Sequence, residues 1–183
     1  GDGTNRNEWR FNVVGTDLSD EALRRTAARV PAVTFIAGNF LDLDFGKDLF
    51  DVVVTLETLS HIEDQEAFIA KAAMLLKPGG HLMLATQNRP ALEKNDVPPP
   101  SPGQLRHWVD RDELRALLQP AFEVKELFSI TPKYNRGPLK LINADKVREG
   151  MHAIGLDAVM AAADRAQEKA WMGWTLMALA QKR

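Results

Sequence analysis

The chain has 183 residues with a formal net charge of -2, 45% hydrophobic and 26% charged residues, and no cysteine. That length suits one hydrophobic core rather than two. The missing thiols exclude disulfides, a cysteine nucleophile and a thiolate metal site, and the near-neutral charge argues against nucleic acid as a partner.

No apolar run approaches the ~20 residues of a bilayer span, and the N-terminus lacks a basic stretch followed by an apolar one. The expectation is a cytoplasmic protein without membrane insertion. In chain order, Phe11 to Thr16 is a short β-branched run ending at Asp17 and predicts a strand. Ser19 stands where a helix cap would, with Asp20 and Glu21 at the positive end of the dipole, so Glu21 to Val30 is the first helix and Pro31 ends it. Thr34 to Gly38 is a second strand. Asp51 to Leu56 is a third, and its unbroken apolar character predicts burial on both faces of a parallel sheet.

Gln65 to Leu76 has helical periodicity, with Ala67, Phe68, Ala70, Ala72, Leu75 and Leu76 as its apolar positions. Lys77-Pro78-Gly79-Gly80 breaks the chain into a turn before the strand His81 to Thr86. The repeated order of strand, helix and strand with short links predicts the α/β class, a doubly wound and mostly parallel sheet. Beyond Thr86, Pro98 to Gly103 is a loop, Asp110 to Leu118 a helix capped by Asp110, and Glu123 to Ile130 a strand. Lys140 to Ala170 reads as helical with an interruption near Gly155, and Trp174 to Ala180 as a closing strand.

Several segments carry a resemblance. Gly1-Asp2-Gly3-Thr4 looks like the tail of a glycine-rich loop, where side chains would collide with a closely approaching cofactor. Val13-Val14-Gly15-Thr16-Asp17-Leu18-Ser19 takes in the end of the first strand, and Gly38-Asn39-Phe40 comes at the end of the second. Phe50 to Ile62 contains Glu57, Leu59, His61 and Ile62 in an E-x-L-x-H-I pattern; Lys77 to Gly80 ends a helix; Asn88-Arg89 and Gly103 to Trp108 come later. From about Gly1 to Phe128 the chain resembles the class I, Rossmann-like methyltransferases that use S-adenosylmethionine, nearest to the small-molecule, ubiquinone-type enzymes.

The resemblance implies a seven-stranded-type sheet whose first strand would precede Gly1. Such a sheet without that central strand would leave backbone groups unpaired, which favours further residues of the domain ahead of this sequence over a truncated relative. Asp17 is expected to accept hydrogen bonds from both ribose hydroxyls. Leu18 would pack on the adenine, Asn39 would meet its amino group and Phe40 would cover it. Gly1, Gly3, Leu56 and Glu57 complete the expected cofactor contacts. His61 is the first candidate for a general base and His107 the second. Arg89, Arg106 and Trp108 would grip the acceptor. Ser60 stands where metal-binding relatives carry a second Glu, so no metal is expected.

The implied function is transfer of a methyl group from S-adenosylmethionine to an oxygen or nitrogen of a small molecule such as a sugar, a quinone-like ring or a natural product. Residues 1–183 form one domain in this reading, with 88–110 covering the acceptor and 133–172 a C-terminal helical insertion that serves as a lid or homodimer surface. Two alternatives stay open: an NAD-dependent dehydrogenase, which would share the acidic residue after the strand, and a non-catalytic partner domain that binds S-adenosylmethionine, which the incomplete glycine loop allows. The Glu57-to-His61 segment and the Lys-Pro-Gly-Gly turn favour methyl transfer.

Overall fold

The computed structural model describes residues 12–137, 140 and 144–183. The expected contacts of Gly1 and Gly3, and the start of the first strand at Phe11, lie outside the described residues. The chain divides into two compact units, 1–45 and 46–183.

In the first unit, β1 (Val14–Asp17) pairs in parallel with β2 (Thr34–Ala37), Gly15 opposite Phe35 and Asp17 opposite Ala37. Between them runs α1 (Asp20–Ala27), shorter than the predicted Glu21 to Val30. Ser19 caps it, its hydroxyl accepting from the Ala22 amide at 3.2 Å. The helix stops early because the amides of Arg29 and Val30 both turn onto the Thr26 carbonyl ahead of Pro31.

The second unit contains a four-stranded sheet in the order β3 (Phe50–Leu56), β4 (Leu76–Gln87), β6 (Thr175–Lys182) and β5 (Phe122–Ile130). β3 and β4 are parallel, whereas β6 runs antiparallel to both neighbours. The α/β class is as expected; among the described residues the strands form a parallel pair in the first unit and a mixed sheet of four in the second, where a mostly parallel sheet of the seven-stranded type was expected. Leu176, Ala178 and Ala180 of β6 are buried, as a central strand requires.

Two further expectations change. Lys77 to Gly80 is a bulge within β4 rather than a turn before it, since Phe50 pairs with Leu76 and Val52 already pairs with His81. Among the described residues β3 is not buried on both faces: it is the edge of the described sheet, and Val52, Val54 and Leu56 are exposed along one side. Its other side faces the core with α2 (Gln65–Leu75), whose buried positions are Gln65, Phe68, Ile69, Ala72, Ala73 and Leu75. Ala70, read as apolar-facing, is exposed.

Past β4, buried Asn88 anchors the chain, its amide donating to the carbonyls of Trp171 at 3.0 Å and Gly173 at 2.7 Å. A short helix that the sequence reading missed, α3 (Arg89–Glu93), follows. The ends of segment 88–110 are tied together by a parallel bridge between Asn88 and Val109. α4 (Arg111–Leu118) begins with a capping box between Asp110 and Glu113. Two helices, α5 (Asp145–Ala153) and α6 (Asp157–Lys169), precede β6. Between them Gly155 takes a φ of 75°, the left-handed conformation that ends α5 as predicted. Arg148 joins the helices through two bonds to Asp164, 3.1 and 2.8 Å long.

Candidate functional site

The site of the second unit is built from the carboxyl end of β3. Glu57 has a φ of 58°, a left-handed conformation uncommon outside glycine and held only where the surroundings enforce it. Its amide donates to the Ala85 carbonyl at 2.8 Å, and its carboxylate accepts from the Thr175 hydroxyl at 3.3 Å. A single 3-10 turn, Leu59–His61, follows; Leu59 and Ser60 are fully buried and His61 points outward.

His61 Nδ1 lies 2.9 Å from the Leu105 carbonyl oxygen. A carbonyl only accepts, so Nδ1 carries the hydrogen, and the neutral ring leaves its lone pair on Nε2. The strand of chain bearing Leu105 is pinned on both sides. Buried Gln65 donates from Nε2 to the carbonyls of Leu59 at 3.0 Å and His107 at 2.8 Å, and the His107 amide donates to Ser60 at 2.8 Å.

A cavity of about 240 Å3 opens here, lined by Glu57, His61, Gln87, Arg106, Trp108, Trp174 and Thr175 among others. The Arg106 guanidinium lies 5.7 Å from the centre of the Trp108 ring and donates to the carbonyls of Pro98 and Pro99. The structure thus brings together four of the predicted residues, Glu57, His61, Arg106 and Trp108. Sequence reasoning missed Gln87 and Thr175, which are cross-strand partners at the ends of β4 and β6; only the strand register marks them.

Two predicted residues stand elsewhere. The His107 side chain lines a groove of about 990 Å3 with Glu63, Glu66, Ile69 and Leu117. Arg89 is held by Glu113 at 2.8 Å and Asp110 at 2.7 Å. The Glu113 hydrogen bond is the leading cause that raises the guanidinium above its usual value.

In the first unit, Asp17 ends β1 and is exposed; its Oδ1 accepts from the Ser19 amide at 2.7 Å, which leaves Oδ2 for another partner. Leu18 is 76% exposed. The Asn39 amide serves its own loop, donating to Asp42 at 2.9 Å and accepting from the Leu41 amide at 3.2 Å. Phe40 tilts against Phe45 with 6.3 Å between ring centres. Leu56 is 63% exposed at the end of β3.

Residues 1–84 match a methyltransferase domain family. A probable S-adenosylmethionine-dependent methyltransferase of Mycolicibacterium smegmatis is 30% identical over 119 residues, 64% of this chain and 46% of that protein. A ubiquinone biosynthesis O-methyltransferase of Caulobacter vibrioides is 31% identical over 129 residues, 59% of this chain and 49% of that protein. The chain is a relative of the S-adenosylmethionine-dependent methyltransferases.

It spans about half the length of these methyltransferase relatives, 46% and 49%. The fold is likewise that of solved methyltransferases. An S-adenosylmethionine-dependent methyltransferase of Mesorhizobium loti superposes with a TM-score of 0.63 at 19% identity, covering 93% of this chain and 80% of that one. The N-methyltransferase NodS of Bradyrhizobium japonicum, in complex with S-adenosyl-L-homocysteine, gives 0.57 at 15% identity, covering 93% and 66%. Among the described residues of this methyltransferase relative, no cluster of three His, Asp or Glu side chains could hold a metal ion, and no helix is long and apolar enough to cross a membrane.

Proposed function

We propose that the chain transfers the methyl group of S-adenosylmethionine to an oxygen or nitrogen of a small-molecule acceptor, such as a sugar, a quinone-like ring or a natural product. The observation that carries this reading is His61, oriented by the Leu105 carbonyl so that Nε2 is the free nitrogen at a cavity of about 240 Å3. The match of residues 1–84 to a methyltransferase domain supports it.

The first unit suits an adenosine. Asp17 has a carboxylate oxygen free for ribose hydroxyls at the end of β1, and Leu18 offers an exposed apolar surface to the base. Asn39 and Phe40 are further proposed contacts, and Leu56 and Glu57 belong to the same proposal from the end of β3. When bound, S-adenosylmethionine supplies a methyl group already activated on a sulfonium, so the protein's task is alignment, exclusion of water and handling of one proton. His61 takes that proton from an acceptor hydroxyl onto Nε2, while Nδ1–H keeps its bond to Leu105 and steadies the charged ring. An amine acceptor needs this help less.

Segment 88–110 covers the acceptor in this reading, with Trp108 and Arg106 as a wall and Arg89 fixing the segment to α4. The helices of 133–172 form a lid or a homodimer surface, for which the exposed Val147, Ile154 and Val159 provide apolar area. His107, which faces the other groove, takes no part in the chemistry. Isothermal titration tests the reading: S-adenosylhomocysteine binds and NAD does not, and Asp17→Ala weakens the binding about ten-fold or more. Equal binding of NAD, or none of S-adenosylhomocysteine, sinks it.

A further inference from the structure

We infer that the groove between α2 and α4 receives a basic, amphipathic helical segment of a partner protein. This stands apart from the methyl transfer proposed at the His61 cavity. The groove, about 990 Å3 in volume, is bounded by the two helices and by the short stretches of chain beside them. Ala70, Ala116 and Pro120 on its lining are exposed, so it is a trough on the surface rather than an enclosed cavity. Ile69, Val109 and Leu117 complete an apolar floor.

Glu63, Asp64, Glu66 and Glu113 line the groove, and no lysine or arginine does. Two of these carboxylates are already engaged. Asp64 caps α2, accepting from the Ala67 amide at 2.8 Å, and Glu113 accepts from Arg89 and from the Asp110 amide, both at 2.8 Å. Glu63 and Glu66 are exposed and have no hydrogen bond or ion pair among the described residues. These two carry the charge that a partner must answer. All four stand at the start of α2 or α4, while Ala70, Leu117 and Pro120 come a turn or more later. The groove is thus acidic where the helices begin and apolar beyond.

The occupant follows from what the groove offers. Its walls are helices, whose backbone groups bond within themselves, so there is no sheet edge for an extended strand to join. A helix satisfies its own backbone and lays apolar side chains at i, i+3 or i+4 and i+7 along the floor. Ala70, Ala116 and Ala121 leave room for them. Lysine or arginine stems on its flank cover the apolar edge and bring their charges to Glu63 and Glu66. The same carboxylates repel nucleic acid and anionic membranes, and a linear polyamine would leave the floor uncovered. Gln65 and His107 line the groove and also hold the segment bearing Leu105, so an occupant contacts the residues on which the orientation of His61 depends.

The test uses the whole chain and a fluorescent peptide of about four helical turns, with leucines along one face and lysines on its flank. The contrasts are a peptide of the same composition with the leucines scattered, one with glutamates in place of the lysines, and spermine. The first peptide is expected to bind with a Kd of about 10–100 μM at low salt, more weakly at high salt, and to move the methyl signals of Ala70 and Ala116. The scattered peptide and spermine bind about ten-fold more weakly or not at all. Glu63→Lys with Glu66→Lys weakens the first peptide about ten-fold and lets the glutamate peptide bind. Ala116→Arg, at an exposed helical position, weakens it about ten-fold as well by setting bulk and like charge on the floor. No binding of the first peptide, equal binding of the scattered peptide or spermine, or an unchanged affinity in either variant overturns the proposal.

Discussion

The ring of His61 and the backbone of Leu105 are joined by a 2.9 Å hydrogen bond that ties the 3-10 turn to the loop before α4 and fixes which imidazole nitrogen is free. If Nε2 is the base that accepts the acceptor's proton, His61→Ala lowers turnover at saturating substrate about a hundred- to ten-thousand-fold. The affinity for S-adenosylhomocysteine stays where it was, because His61 touches the proton and not the donor. Turnover near the wild-type rate on a hydroxyl acceptor would show the assignment to be wrong.

Gln65 holds the platform under that pair. Its buried amide serves two carbonyls, those of Leu59 and His107; Leu59 also accepts from the Ile62 amide, so Gln65→Leu takes the side-chain donor from both and leaves His107 the poorer. The expected loss is about 1–3 kcal/mol of stability, read as a lower urea midpoint at unchanged slope. Turnover falls as well, since Leu105 is no longer pinned against His61. A variant as stable and as active as the wild type would mean that the 104–108 segment is held by other means.

How far the sequence reaches is seen in individual elements. The strands ending at Asp17 and Leu56 are legible because β-branched runs stop at polar residues, and α4 because Asp110 and Glu113 write out a capping box. The bulge at Lys77 to Gly80 is not legible, since two glycines and a proline mark a turn and a bulge alike. The placement of β6 between β4 and β5 is a long-range choice without a local signal. The site divides the same way: Glu57 and His61 belong to one motif, whereas Gln87 joins them only because it pairs with Thr175 across two strands far apart in the chain.

Gly173 is fixed by space rather than by backbone angle. A Cβ built there would lie 2.3 Å from the Ile130 carbonyl oxygen and 2.5 Å from its nitrogen. Neither atom can retreat, because Ile130 is paired with Thr175 in the β5–β6 ladder. Gly173→Ala is expected to cost about 1–3 kcal/mol or more, seen as a lower melting temperature by circular dichroism. An unshifted melting curve would require the end of β5 to move freely.

The junction of α5 and α6 contains the one pH dependence we predict. His152, in the last turn of α5, lies 2.8 Å from Asp157 in the first turn of α6, and both side chains are exposed. The hydrogen bond to Asp157 and then its charge raise the histidine above its ordinary value. The folded chain therefore holds this proton more tightly than the unfolded chain. The stabilisation is fully present below the unfolded histidine's pKa and is lost as pH rises through the raised, folded value. Exposure keeps the effect small and open to screening by salt. Asp157→Asn preserves the shape but removes the charge, so the difference in stability between wild type and variant should be largest in mildly acidic, low-salt buffer and shrink above neutrality. Stability curves for the two proteins that run parallel across that range would show that the pair contributes nothing to the junction.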